Sequence, residues 1–235
     1  MKRICTICAR GGSKGVENKN IRDFLGKPLL AHSIQQAKRA DLFDVIAVSS
    51  DSQSILDIAL KWGADIIVDR PAELATDVAA KLPVIQHCVA MAEKTIGVFG
   101  DVIVDLDATS PLRTVADIRG AVSLLESSNV SNVITGAPSR RSPYFNLVEL
   151  NQSGYVQLSK PVAQRIVRRQ DAPQCFDMNA SIYVWQRDAL FRQSSIFDSD
   201  TMLYVMPEER SIDIDSELDF EIVEFLASKR GKDFE

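Results

Sequence analysis

Basic excess is missing from this sequence. Its 27 lysines and arginines are outnumbered by 32 aspartates and glutamates, which leaves a net charge of −5. A general nucleic-acid-binding surface needs the opposite balance, so no nucleic acid partner is expected. Any anion site must be a local gathering of cations on an acidic background. Cysteine is scarce too, and four residues in a chain of 235 do not make a disulfide framework. The two histidines, His32 and His87, fall in helix-like stretches. Neither stands with the orienting third group that a Ser-His-Asp or Cys-His system requires. No apolar run approaches the roughly 20 residues that cross a bilayer. Met1-Lys2-Arg3 lead straight into a short strand-like segment, without the apolar stretch and cleavage site of a signal peptide. The expectation is a cytoplasmic protein with no membrane partner. Neither an internal repeat nor a low-complexity tail is visible.

Hydrophobic residues make up 46% of the chain and charged residues 25%, the balance of a folded globular protein. The length suits one sizeable α/β domain with a small insertion. Residues 3–8 predict a first strand that runs into a glycine loop. The stretch 28–40 has helical spacing with Pro28 in its first turn. D-V-I-A-V-S-S-D reads as a strand, and Asp51 or Ser52 is placed to cap a helix that stops at Gly63. Further strands are expected at 65–68, 101–107 and 132–135, with helices at 80–95 and 114–126. Strands alternating with helices of this length predict an α/β fold with a doubly wound, mostly parallel, Rossmann-like sheet. In such sheets ligands bind beyond the carboxyl ends of the strands. The glycine loop, Ser49–Asp51 and Asp105–Arg113 all fall at such ends.

The rhythm breaks near residue 137, where A-P-S-R-R-S-P-Y-F-N is turn-rich and basic. Residues 1–136 and 177–235 are therefore expected to form the main domain, and 137–176 an inserted arm. The arm carries Tyr144, Phe145 and Tyr155 and a basic patch of Arg165, Arg168 and Arg169. It reads as a dimer contact, with an ordinary surface hairpin as the other reading. Regular structure resumes at N-A-S-I-Y-V-W and ends with S-I-D-I-D and a final helix.

Chemistry concentrates in a few places. The loop A-R-G-G-S-K-G-V-E-N-K-N, Ala9 to Asn20, sets Gly11 and Gly12 beside Arg10, Lys14 and Lys19. Adjacent glycines let backbone N–H groups approach a phosphate, and the cations neutralise its charge. The spacing matches neither G-x-x-x-x-G-K-[ST] nor G-x-G-x-x-G. Asp213 and Asp215 alternate in S-I-D-I-D, so an extended segment puts both carboxylates on one face. That pair suits Mg²⁺, which takes oxygen ligands and shares its coordination with water and phosphates. Capping of the final helix by Asp215 or Ser216 is the plainer use. D-L-D-A-T, residues 105–109, looks like the D-x-D-x-T motif of haloacid-dehalogenase-type phosphatases, with Asp105 as nucleophile and Asp107 as acid/base. A catalytically silent nucleotide-binding module is a third reading, one that leaves the paired aspartates without a purpose. Cys5 and Cys8 have C-x-x-C spacing, but three positions along a strand they face opposite sides, so they are expected to be structural.

Taken in order, I-C-A-R-G-G-S-K-G-V-E-N-K-N, L-G-K-P-L-L-A-H-S-I, V-S-S-D, R-P-A-E-L-A-T-D, A-T-S-P-L-R, R-Q-D-A-P-Q-C-F, N-A-S-I-Y and S-I-D-I-D resemble the acylneuraminate cytidylyltransferase family. The resemblance covers nearly the whole chain. It implies a dimer whose arm reaches the neighbour's site, and transfer of CMP from CTP to an acidic nine-carbon sugar. It implies that Ala9, Arg10, Gly11, Gly12, Ser13, Lys14, Asn20 and Arg70 hold the nucleotide, and that Lys19 stabilises the α-phosphate. Asp213 and Asp215 would hold the metal. Arg10, Lys19 and Asp215 would carry the chemistry. No general base is obvious, and Asp215 acting through a metal-bound water is the candidate. Asp107, Thr109, Ser110, Arg169 and Asn179 would face the sugar. Three departures concern that sugar. Asp107 stands where the family carries glutamine, Phe145 where lysine is frequent, and Asp177 where arginine is frequent. They resemble relatives that act on legionaminic acid more than those that act on N-acetylneuraminic acid.

Overall fold

The computed structural model describes residues 1–162, 166 and 168–231, the side chain of Arg169 excepted. Arg165 of the basic patch lies outside them. The chain runs through β1 (Arg3–Cys8), the short pair β2 (Asp23–Phe24) and β3 (Lys27–Pro28), α1 (Leu29–Ala40), β4 (Val45–Ser50) and α2 (Gln53–Lys61). It continues with β5 (Ile66–Asp69), α3 (Lys81–Ile96), β6 (Val102–Leu106), α4 (Val115–Ser127) and β7 (Asn132–Pro138). A hairpin of β8 (Val148–Leu150) and β9 (Val156–Leu158) precedes β10 (Phe176–Gln186), α5 (Arg187–Arg192), β11 (Met202–Val205) and α6 (Glu217–Arg230).

Seven strands form the main sheet in the order β11-β7-β10-β6-β1-β4-β5. All neighbours are parallel except β10, which is antiparallel to both β6 and β7. A helical crossover makes parallel partners, whereas a returning hairpin makes antiparallel ones. The arm between β7 and β10 acts as such a return. The ladder itself pairs Pro138 with Phe176, so the excursion from the sheet is residues 139–175.

Side-chain alternation divides the core into two layers. Cys5, Ile7, Val48 and Val104 face α1, α2 and α4, while Ile4, Ile103 and Trp185 face α3 and α5. Cys5 and Cys8 accordingly lie on opposite faces of β1, and both are free thiols. A hydrogen bond with Cys88 and burial push the Cys8 thiol well up. Such thiols are inert at neutral pH.

Two helix starts are capped reciprocally. Thr114 caps α4 through Asp117, and Ser216 caps α6 through Asp219. Losing such a cap costs about 1 kcal/mol. Ser216, not Asp215, thus takes the capping role and leaves the Asp215 carboxylate free of it. Neither expected cap of α2 forms: Ser52 holds the position, but its hydroxyl pairs with that of Ser54. Asp51 reaches instead to the backbone of the glycine loop.

Candidate active site

The glycine loop is folded by its neighbours before any ligand arrives. Gly11 N–H donates to Asp51 Oδ1 at 2.9 Å, so this amide is committed and is not a free anion donor. Asn20 Nδ2 donates to the Arg10 carbonyl at 3.0 Å. The Asn20 amide oxygen has no partner among the described residues although the residue is only 5% exposed. A buried acceptor left open is costly, and here it borders a cleft where a ligand donor would satisfy it.

At its far end the loop meets the S-I-D-I-D segment. A Cβ on Gly15 would fall 1.8 Å from the Asp215 carbonyl oxygen, so only glycine permits this approach. Lys19 Nζ donates to the Ile214 carbonyl at 2.5 Å and stands 3.6 Å from Asp215 Oδ1. Ile214 N–H donates to the Thr109 carbonyl. Behind this segment, Arg210 makes two hydrogen bonds of 2.9 Å to the buried Asp117 carboxylate, which anchors the turn that leads into Ser211.

The cleft between these pieces measures about 390 Å³. The loop contributes Ala9, Arg10, Ser13, Lys14, Lys19 and Asn20 to its walls. Asp107, Thr109 and Asp215 close it, together with Cys8 and Gly15. A larger hollow of about 550 Å³ lies at the opposite end of the sheet by Met1, Glu126 and Asp188, without a cationic loop facing an acid pair. Other expected residues stand back from the cleft. Arg70 is buried and spends its guanidinium on the Ser49 hydroxyl and carbonyl, which makes it a strut between β5 and β4. Ser110 is buried with its hydroxyl unpartnered among the described residues. Asn179 sits where β10 shifts register, beside Ala180 at φ 52°. Its amide accepts from the Thr135 hydroxyl and donates to the Ser211 hydroxyl, so it links the sheet to the aspartate segment. Arg169 begins a short 3-10 turn, Arg169–Asp171.

Asp213 and Asp215 lie close enough to perturb one another. Burial, then the Asp215 charge, push the Asp213 carboxyl above its ordinary value. Two facing carboxylates of which one is strained upward form a site that gains from a divalent cation. The pair offers two oxygen ligands and leaves the rest of an octahedron to phosphate and water, as Mg²⁺ prefers. Among the described residues no third ligand of this kind joins them. The residues present therefore fit the metal.

Three residues matter here that the sequence did not single out. Gly15 is one. Asp77 is another: its carboxylate pairs with Arg10 at 2.5 Å and with Lys14. Hydrogen bonds from Lys14 and then Arg10 hold it below the usual carboxylate range. An internal anion thus occupies the cations that a triphosphate would use. Asp77→Asn is expected to tighten CTP binding roughly two- to fivefold at low salt, the size of exposed ion pairs, with the difference fading in high salt. Titration calorimetry at two salt concentrations reads this, and weaker binding by the variant would make Asp77 part of the nucleotide site instead. The third is Lys81, whose ammonium pairs with Asp107 at 2.7 Å and Asp105 at 3.4 Å. Asp105 is 1% exposed and accepts from the Thr6 hydroxyl. A carboxylate so enclosed has no path to a phosphorus atom, which argues against the phosphatase reading.

Comparison with known proteins agrees with this geometry. The profile of the cytidylyltransferase family matches residues 4–228. The chain is 47% identical over 234 residues to the post-translational flagellin modification protein B of Campylobacter coli, covering 98% of each chain. It is equally similar, 47% over 234 residues and 98% of each, to the CMP-N,N'-diacetyllegionaminic acid synthase of Campylobacter jejuni subsp. jejuni serotype O:2. Among solved structures, that of a CMP:2-keto-3-deoxy-manno-octonic acid synthetase complexed with CTP superposes with a TM-score of 0.70 at 15% identity, covering 98% of this chain and all of that one. At that identity the likeness is one of fold.

Proposed function

Because the chain belongs to the cytidylyltransferase family, nucleotidyltransferases that use CTP, we propose that it activates N,N'-diacetyllegionaminic acid as its CMP derivative and releases pyrophosphate. N-acetylneuraminic acid ranks next as substrate. The observation that carries the reading is the single cleft in which Arg10, Lys14 and Lys19 face Asp215, with Asp213 beside it.

In this reading the loop cations draw the triphosphate into the cleft, and the Asn20 amide oxygen accepts from the nucleoside. The anomeric hydroxyl of the sugar attacks the α-phosphorus in line. The new P–O bond forms as the bond to the β-phosphate oxygen breaks, and pyrophosphate leaves. Catalysis in such transfers is mostly positioning and charge stabilisation. Arg10 and Lys19 offset charge on the equatorial oxygens. The hydroxyl proton departs through water toward Asp215, which lines the cleft. Asp213 and Asp215 are the residues that would hold Mg²⁺, which when bound supplies further neutralisation of phosphate charge. Arg70 supports the nucleotide indirectly, through Ser49. Asp107 and Thr109 form the wall toward the sugar, and Asn179 with Ser110 stands behind that side; Arg169 is assigned to the sugar by the family resemblance alone.

We also read the arm as a dimerisation element. An isolated two-stranded hairpin is marginally stable in water, and this one leaves Leu150, Val156 and Tyr155 open to solvent, the last 72% exposed. A second copy of the chain covering them would make the hairpin stable. No described helix is long and apolar enough to cross a membrane, and a cytoplasmic site of action remains our proposal.

The test is direct. The protein is incubated with CTP, Mg²⁺ and one of N,N'-diacetyllegionaminic, N-acetylneuraminic, pseudaminic or 2-keto-3-deoxy-manno-octonic acid, and pyrophosphate is measured. Fastest release with the legionaminic sugar is expected. Release with none of the four sinks the proposal, and a clear preference for another sugar replaces the substrate.

A further inference from the structure

Two side chains from different segments hold one peptide unit of the glycine loop. The Arg10 carbonyl accepts from Asn20 Nδ2 at 3.0 Å. The Gly11 N–H, the other end of the same planar unit, donates to Asp51 Oδ1 at 2.9 Å. Asn20 comes from the 3-10 turn Lys19–Ile21, and Asp51 directly follows β4. Ala9 N–H also donates to the Ser49 carbonyl at 3.0 Å, so the loop leaves β1 pinned to the end of β4. A Cβ on Gly11 would come to 3.0 Å from the Ser52 Cβ, a measure of how closely the two segments lie.

Without these holds the Arg10–Gly11 peptide would be free to turn over. The rotation exchanges the directions of its C=O and N–H through ψ of Arg10 and φ of Gly11, and glycine takes a new φ at little steric cost. The turned unit would carry the Arg10 carbonyl away from Asn20 and aim it at Asp51. An ionised carboxylate only accepts. It attracts the N–H and repels a carbonyl, so Asp51 favours the observed orientation twice over. An asparagine there would lose this bias, because its amide offers a donor to the turned carbonyl as readily as an acceptor to the N–H.

The consequence reaches the cleft, although Asp51 is absent from the described residues that line it. The Asn20 NH2 group is spent on the Arg10 carbonyl. The atom left open is therefore the Asn20 oxygen, buried and unpartnered among the described residues, on the wall of the cleft. We propose that Asp51 is a positioning residue for the nucleotide: by locking the Arg10–Gly11 peptide it keeps Asn20 turned with its acceptor oxygen toward the ligand. The proposal rests on the nucleotide reading above, in which that oxygen accepts from the nucleoside.

Titration calorimetry of the full chain with CTP, CMP and pyrophosphate tests it, in Mg²⁺ and in high salt so that the mere loss of a surface anion is screened. Asp51→Ala is expected to weaken CTP and CMP alike by about tenfold, the penalty when a charge-assisted hydrogen bond no longer selects the competent conformer. Pyrophosphate carries no nucleoside, and its affinity should stay within about twofold of the unaltered protein's. Asp51→Asn, nearly the same shape, should also weaken both nucleotides, whereas removing a negative charge beside the loop cations would by itself tighten them. In an Asn20→Ala background the relay is already cut, so adding Asp51→Ala should cost less than about twofold. Thermal melting is measured on every variant. Nucleotide affinity unchanged or tighter in Asp51→Ala and Asp51→Asn would overturn the proposal. So would pyrophosphate weakened as much as CTP, which marks collapse of the whole loop, or full additivity with Asn20→Ala. If the unaltered protein binds no CTP, the nucleotide reading fails first and this inference falls with it. CTP bound equally well by the unaltered protein and Asp51→Ala removes this inference alone.

Discussion

Gly15→Ala is expected to cut turnover by at least about 100-fold, the order of loss that follows a misplacement of about 1 Å in a positioned site. The added methyl would lie 1.8 Å from the Asp215 carbonyl oxygen, well inside any permitted contact. Both sides of that contact are backbone, so neither can swing aside. Either the loop rises or the S-I-D-I-D segment retreats, and both moves separate the loop cations from the carboxylates. Overpacking of this kind also costs about 1–3 kcal/mol of stability, so melting should fall by a few degrees while the protein stays folded. Gly12→Ala is the contrast for stability: its Cβ would meet nothing within 4 Å, and the melting temperature should not move. Coupled measurement of pyrophosphate release and thermal melting checks both. Normal turnover by Gly15→Ala would show that the loop and the aspartate segment need not touch for catalysis.

Lys19→Met should lower kcat by about 1000-fold, in the range seen when a cation or donor at a phosphoryl or oxyanion site is removed. Lys19 is mostly buried, lines the cleft, and is the cation nearest the acid pair. In the proposed mechanism its loss takes away charge from the place where charge develops on the α-phosphate. Arg10 and Lys14 remain to bind the triphosphate, so the dissociation constant for CTP should change by less than about tenfold. Single-turnover kinetics with CTP and the sugar separate the two quantities. A large loss of CTP binding with kcat preserved would reassign Lys19 from the transition state to the ground state.

The sheet was legible because its strands are short apolar runs ended by polar turns, and its helices carry their own stops, such as the Gly63 after α2. The orientation of β10 was not. Direction depends on how the chain returns, and an arm of irregular sequence does not announce a hairpin. At the site, the cationic loop and the paired aspartates could be read because each lies within one short segment. Asp77 and Lys81 could not. Nothing in the sequence near Asp77 says that it folds onto Arg10 and Lys14, and a lysine opening a helix ordinarily points to water. Arg70 reads as a nucleotide contact in R-P-A-E-L but folds as a strut, since the Ser49 carbonyl at the neighbouring strand end is within its reach. Gly15 was visible as a glycine. Its reason was not, because the atom that requires it lies on Asp215, far along the chain.

The hydrogen bond from Lys19 to the Ile214 carbonyl spans 195 positions of sequence. The two segments that meet at the cleft are therefore made far apart in time during synthesis. Contacts this distant form late, after the local elements have paid their ordering entropy. Until S-I-D-I-D docks, Arg10 and Lys14 have Asp77 as their acidic partner, while Lys19 still awaits Ile214 and Asp215. The growing protein thus carries a loop with two of its three cations paired, and the proposed site is complete only when the S-I-D-I-D segment docks against it.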